Sequence, residues 1–500
     1  MNIISENVVK FNSLEEKIFK DMMKLGRELI ADELKLIDNL IKQYRDKSVF
    51  KVKDFQKTVV KTRLGDVEFF RRRYEMQVNG VKKCIYLLDE LLEINSIGQY
   101  SQSVVEMIIR EITKKSYRET AKIVSEDTDS EITYTAVRNI VIKLGEKIKA
   151  LEEEKIKLYE RGEIEGKKDC KYVFCEHDGI YVKKQKCKKS KEKKKFKEKH
   201  FRKKKNKRKK NGIELKIAVI HEGKEKRYEN DYKLKNKIII GTAGVASKLK
   251  QIEDVTIGTT YKEHKIKNIV INGDGADWTG SIVEGAKEIF QLDMAHIQKK
   301  IYMAVSNEEY LKQMQEIVYT EKANDIFSII YNYKVELETD KKIDELNKVK
   351  ELEEYLRNNK EGLQRYQYKL GYTEEQIQKN IEQYPSLGSE ESHMYCVCRD
   401  RMKKNRTSWS IKGAEALLKV IMNRMNNTIE EILNNKAKKK IQEELAERIP
   451  EPKKIKKIKQ GKIPYAGKYE IADNLAGSTR QYILDLLKEK KMSDIIIMCK

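Results

Sequence analysis

Five short apolar runs between residues 171 and 295 constrain this chain more than any other feature: "KYVFCEHDGIYV", "ELKIAVIHEG", "KNKIIIGT", "KNIVINGD" and "FQLDMA". The first four have the length and β-branched content of a buried strand, and the fifth is a short strand-like apolar run. A helical pattern from about Val245 to Glu253 separates the third run from the fourth, and "GSIVEGAKEIF" reads as a helix before the fifth. Early strands followed by alternation of helix and strand predict a mixed α/β sheet.

The other segments read differently. At 500 residues the chain exceeds what one core holds, so two to four domains are expected. Apolar residues at helical spacing run from Ser13 to about Arg45, and Ser13 with Glu16 predicts a capping box at the start. The β-rich runs of "TVVKTRLGDVEFFRRRYEMQVNGVKKCIYLLDELL" predict a small sheet, with Asn79-Gly80 as a hairpin turn. "SYRETAKIVSEDTDSEITYTAVRNIVIKLGEKI" reads as helix, turn, helix. Its second helix would begin near Thr133 or Tyr134 and carry Arg138 and Lys143 outward, a shape suited to the DNA major groove. The same pattern also fits two packed helices with one solvated face.

From about His296 to Leu370 the chain is charged and helical in pattern, and no proline precedes Pro385. This reads as an inserted helical region ending at "QYPSLGSEES", followed by a last helix from about Trp409 to Asn426 and a lysine-rich tail. The expected division is 1–95 (helix plus small β region), 96–165 (helix-turn-helix-like), 166–300 (sheet, first part, with a basic insertion at 183–210), 301–384 (helical insertion), 385–430 (sheet domain, last part) and 431–500 (basic tail).

Charge narrows the partners. Lys and Arg number 105 against 80 Asp and Glu, giving +25 and a pI near 9.3. Charged residues make up 37% where about 25% is typical. Such a surplus points to a polyanion, most commonly nucleic acid. The run Lys183 to Lys210 holds 19 Lys or Arg in 28 positions. It fits a solvated loop and equally a segment laid along phosphates, with Lys203, Lys204 and Lys205 as candidate contacts. No stretch approaches the roughly 18 apolar residues of a spanning helix, and "MNIISENVVKFNSLEEK" lacks the basic-then-apolar order of a signal peptide, so a cytoplasmic location is expected. Seven cysteines, none in a CxxC pair, argue against both a disulfide framework and structural zinc.

Three acidic positions stand beside an apolar strand or a glycine turn rather than on a charged helix: Asp178 in "FCEHDGIYV", Asp274 in "VINGDGADW", and Glu390 or Glu391 in "GSEESH". A carboxylate at a strand end is held by the sheet, and glycines such as Gly273 and Gly275 leave room for an ion to approach. Hard oxygen donors suit Mg²⁺ or Mn²⁺, whose chemistry in a basic protein is two-metal phosphoryl transfer. Asp-Gly after a strand is also an ordinary turn. An EF-hand is excluded because "DGADWTGSIVEG" lacks its ligand series. Asp277 reads as a turn residue, and Asp293 with His296 in "LDMAHIQK" would share one face of a helical turn. The two tryptophans, Trp278 and Trp409, are candidates to pack or to stack against DNA.

Taken together, "RLGDVEFFRRRYE…YLLDELL", "EHDGIYVKKQ", "VINGDGADW", "LDMAHIQK" and "YPSLGSEESHMYCVCRDRMKKNRTSWSIKGA" resemble the bacterial ISLre-type insertion-sequence transposases, a branch of the mutator-like DDE transposases. The resemblance is collinear from about residue 50 to residue 425. It implies an RNase H-like catalytic core interrupted by a helical insertion, with a DDE triad at Asp178, Asp274 and Glu391. It also implies an Asp-x-x-His element at Asp293 and His296, with His296 as a further catalytic residue. Mg²⁺ or Mn²⁺ would be the cofactor. The partners would be double-stranded DNA, as terminal inverted repeats and target, and further copies of the chain. His177 stands where a small residue is expected, and Ala295 where an aromatic is usual. The alternatives are a non-catalytic sequence-specific DNA-binding protein and an RNase H-type nuclease without strand transfer.

Overall fold

The computed structural model describes residues 3–434 except 79, 93, 95–98, 186–211, 229–230, 277–284, 319, 381, 383–384, 389–397 and 405–406. The chain forms two compact units, which in the described part of the chain comprise Met1–Ile112 with Ser116–Ile140, and Thr113–Lys115 with the residues from Val141 to 434.

In the first unit, α1 (Ile3–Tyr44) lies on an antiparallel sheet of β1 (Lys51–Thr62), β2 (Gly65–Val78) and β3 (Val81–Ile85). Ile37, Leu40 and Ile41 of the helix bury against Phe50, Val60, Val67, Phe69 and Tyr74. Asp38 is 1% exposed and is satisfied by the Arg72 backbone N–H at 3.2 Å and by the Arg72 guanidinium. The expected capping box is corrected: α1 runs straight through Ser13. No glycine or proline interrupts residues 3–25, and serine weakens a helix interior too little to end it. Val78 pairs with Val81, with Gly80 at φ +79, while Asn79 lies outside the described residues.

After α2 (Leu87–Leu92) and α3 (Gln102–Ile112), α4 (Tyr117–Thr128) is capped by Ser116, whose hydroxyl accepts from the Glu119 N–H. It stops at Asp129, φ 47, and α5 (Tyr134–Glu160) follows with Arg138 and Lys143 exposed.

The second unit is organised by five strands: β4 (Tyr172–Lys183), β5 (Gly212–His221), β8 (Ile238–Thr242), β9 (Asn268–Gly273) and β10 (Glu288–Leu292), in spatial order β10-β9-β4-β5-β8. Strands β4, β5 and β8 are antiparallel in succession, and β9 and β10 join parallel to β4. The mixed α/β sheet is thus present. A hairpin, β6 (Lys224–Tyr228) and β7 (Asp231–Leu234), intervenes between β5 and β8.

Period-two burial gives the sheet two covered faces. Val173, Cys175, Ala218 and Ile220 pack against Ile156 of α5 and against Leu249, Ile252 and Val255 of α6 (Ala246–Thr260). On the other face Tyr172, Phe174 and Val270 meet Tyr366. Between β10 and Tyr366 run α7 (Met294–Ala304), α8 (Glu308–Ile317), α9 (Ile326–Thr339) and α10 (Ile343–Asn358), which share a core of Ile297, Ile301, Ile326, Ile330, Val349 and Leu356. Of the expected helix in "GSIVEGAKEIF", residues 280–284 lie outside the described residues, and the end is corrected: Glu288, Ile289 and Phe290 are strand, paired with β9, as the β-branched and aromatic side chains of Ile289 and Phe290 favour. Residues 360–388 then return along the Tyr366 face, and the chain later reaches α11 (Ile411–Met425), which packs on β8.

Candidate active site

Strand register sets three aspartates side by side. Glu176 of β4 pairs with Asn272 of β9, and Asn272 pairs with Gln291 of β10. Two residues further on stand Asp178, within β4, and Asp274 and Asp293, just past the ends of β9 and β10, close enough that the charges of Asp274 and Asp293 act on Asp178. Adjacent strands lie about 4.8 Å apart, so the acids form a row where the parallel part of the sheet ends.

Each acid is fixed locally. Asp178 sits within β4, and its Oδ1 accepts from the Gly179 N–H at 2.6 Å. Asp274 ends β9 in an Asx turn: its Oδ1 accepts from the Ala276 N–H at 2.9 Å, while Gly275 turns the chain at φ +74. Gly275 answers to packing rather than to an ion, since a Cβ there would lie 2.8 Å from Leu292 Cδ1 and 2.9 Å from Asn359 Oδ1. The Tyr355 hydroxyl of α10 donates to the Asp274 carbonyl at 2.8 Å, tying the helical region to this turn. Asp293 caps α7. Its Oδ1 accepts from the His296 N–H at 2.8 Å and lies 2.9 Å from His296 Nδ1, and Asn272 Nδ2 donates to Oδ2 at 3.3 Å.

The electrostatics follow. Burial, reinforced by the negative charges of Asp274 and Asp293, pushes the Asp178 carboxyl up to about 6, against the pull of the Gly179 N–H and of His296. Burial acts on Asp293 too, but hydrogen bonds from the His296 ring and backbone, the His296 charge and the Asn272 amide outweigh it and hold Asp293 below its ordinary value. Among the described residues no Lys or Arg forms an ion pair with Asp178 or Asp274. A pair of carboxylates at such a site presents the hard oxygen donors a divalent cation takes. No group of three His, Cys, Asp or Glu converges as a full metal cluster among the described residues.

Of the residues singled out from sequence, the structure thus brings together Asp178, Asp274, Asp293 and His296. Glu390, Glu391, Asp277, Trp278, Lys203, Lys204 and Lys205 lie outside the described residues. Trp409 is corrected from a stacking surface to a packing residue: it is 6% exposed and donates its indole N–H to the Met402 carbonyl at 2.8 Å under the Arg401 guanidinium. His177 occupies the opposite face from Asp178, its Nε2 2.5 Å from Glu253 Oε2, which is how the sheet admits a large residue there. No helix among the described residues is long and apolar enough to cross a membrane.

Four contributors carry weaker sequence signals. Glu176, Asn272 and Gln291 sit two residues before the acids, at a strand period that was legible. Tyr355, more than 80 residues from Asp274 in the chain, carries no local signal.

A family model described as an uncharacterised protein family, UPF0236, matches residues 4–211 and 197–439. A UPF0236 protein of Caldanaerobacter subterraneus subsp. tengcongensis whose name joins eleven locus designations is 25% identical over 443 residues, covering 84% of this chain and 82% of the relative. Another from that organism, with four designations, is 25% identical over 446 residues, at 84% and 82% coverage. A third is 26% identical over 423 residues, at 83% and 78% coverage. Matched by that family model from residue 4 to residue 439, the chain belongs to UPF0236.

Proposed function

We propose that the protein is a DDE-type DNA transposase with an RNase H-like core, cleaving DNA at the ends of its element and joining the 3′ ends to target duplex. The observation that carries this reading is the acid row, Asp178, Asp274 and Asp293, at the end of the parallel strands of a mixed sheet in a chain of +25. The strand order, three antiparallel strands followed by two parallel to the first, supports the RNase H-like assignment. Relatives named by eleven and by four loci in one genome support an element that copies itself.

In this reading Asp178 and Asp274 hold Mg²⁺ or Mn²⁺, with Glu391 as the remaining acid. The bound cations would supply activation of the attacking oxygen and stabilisation of the leaving one. The chain's own residues align and balance charge. Asp178 and Asp274, which form no ion pair with a Lys or Arg among the described residues, make the site favour cations, and Asp293 orients the imidazole of His296 beside the row, where it contacts the scissile phosphate. Arg138 and Lys143 supply DNA contacts from α5.

The test uses the full chain, Mg²⁺ and duplexes bearing the element's ends. Asp178→Asn and Asp274→Asn should each lower cleavage about a hundredfold or more while leaving DNA affinity within about twofold. Retained cleavage in either variant sinks the assignment. Cleavage without joining would indicate a hydrolytic nuclease, and binding without cleavage by the unmodified chain a DNA-binding protein.

A further inference from the structure

We infer that Glu176 is a positioning residue for the acid row, acting through Gly388 on Asp293; the inference rests on the catalytic reading above. Glu176 is 7% exposed, and a carboxylate at that depth needs partners for both oxygens. Oε2 accepts from the Gly388 N–H at 3.0 Å, and Oε1 lies 3.2 Å from Nε2 of the fully buried His221. His221 Nδ1 lies 3.1 Å from the Gly223 N–H and 3.2 Å from the Gly223 carbonyl, and Nε2 faces the Glu176 carboxylate, which accepts when the ring proton is on Nε2.

Gly388 transmits this hold. It adopts φ +88, and a Cβ on it would overlap Asp293 Oδ2, the same oxygen that accepts from Asn272 Nδ2. The backbone of Gly388 therefore walls in one oxygen of Asp293 while the other caps α7 and binds His296. The rest of this strap is fastened independently, by Lys224 N–H to the Glu382 carbonyl at 3.1 Å and by the Tyr366 hydroxyl to the Pro385 carbonyl at 2.9 Å. Removing Glu176 thus frees the point of the strap that touches Asp293 without releasing the strap. Glu176 does not reach the reacting atoms: it stands one strand repeat behind Asp178 with both oxygens engaged.

Gln at 176 is the discriminating substitution. Its carbonyl oxygen can take the Gly388 N–H, and its amide can donate to Nε2 if the His221 proton moves to Nδ1, where the Gly223 carbonyl waits at 3.2 Å. The experiment compares the full-length chain with Glu176→Ala, Glu176→Gln and Asp178→Asn. It measures hydrogen exchange at the Gly388 amide, turnover and KM on duplex ends with Mg²⁺, and DNA affinity. Glu176→Ala should speed Gly388 exchange and lower turnover about tenfold or more at unchanged KM and DNA affinity, and Glu176→Gln should restore both readouts to within about threefold. Unchanged exchange in Glu176→Ala overturns the hold on Gly388, whatever the activity. Faster exchange with wild-type turnover, or a loss of turnover that tracks DNA affinity and that Gln does not rescue, overturns the positioning role. Activity that survives in Asp178→Asn fails the catalytic reading instead, and separates that failure from this one.

Discussion

Asp178 gathers the electrostatic cost of the site. Its carboxyl is raised to about 6, so between roughly pH 4 and 6 the folded chain keeps a proton that the unfolded chain has released. Without divalent cation, stability therefore falls as pH rises through that window and stays lower above it. Asp178→Asn should raise the melting temperature at pH 7.5 in chelator, by the equivalent of about 1–3 kcal/mol, and flatten the pH dependence. A lower melting temperature would show that the carboxylate is stabilised by something other than its neighbours here. Asp178 and Asp274 were legible because each stands beside an apolar run and a glycine, Asp274 at the turn that ends β9 and Asp178 within β4. That Asp293 joins them was not: membership of the row depends on the pairing between β9 and β10, which no local pattern around Asp293 states. Trp409 misled for a related reason, since its burial depends on Met402 and Arg401, which its place at the start of a helical pattern does not show.

The same division between local and non-local signal runs through the elements. Four of the five strands announce themselves by β-branched runs, but the order of the strands does not, because parallel addition of β9 and β10 is decided by what covers each face. Helix α1 shows the reverse case. Its apolar positions have one continuous helical period, yet Ile37 is 5% exposed against the sheet while Ile18 is 54% exposed and Leu25 48%. Periodicity identified the helix without saying which stretch meets a core. Ile37→Ala should destabilise the first unit by about 2–4 kcal/mol in thermal or urea unfolding, and Ile18→Ala by less than about 0.5 kcal/mol. Equal losses would contradict this packing, and a concentration-dependent loss at Ile18 would mean that another molecule covers the stripe.

For the molecule as a whole, charge is distributed unevenly. The run Lys183 to Lys210 contains nineteen basic and two acidic residues, and so holds seventeen of the +25. Its ends belong to the sheet, since Lys183 of β4 and Gly212 of β5 are register partners. Residues 186–211 can therefore be replaced by a two-residue Asn-Gly turn that keeps Lys184 and Gln185, which pair with the Ser408–Trp409 segment, and leaves the strands that carry Asp178 in register. If the run works by counterion release, the shortened chain should bind every duplex more weakly and by a similar factor. Its plot of log affinity against log salt should be shallower by about 0.9 for each phosphate that the run had neutralised. Turnover at saturating DNA should stay near that of the full chain, because the acid row is untouched. Loss of affinity for element ends alone, at an unchanged salt slope, would make the run a reader of sequence and move it from the electrostatics of the whole molecule to the specificity of one site.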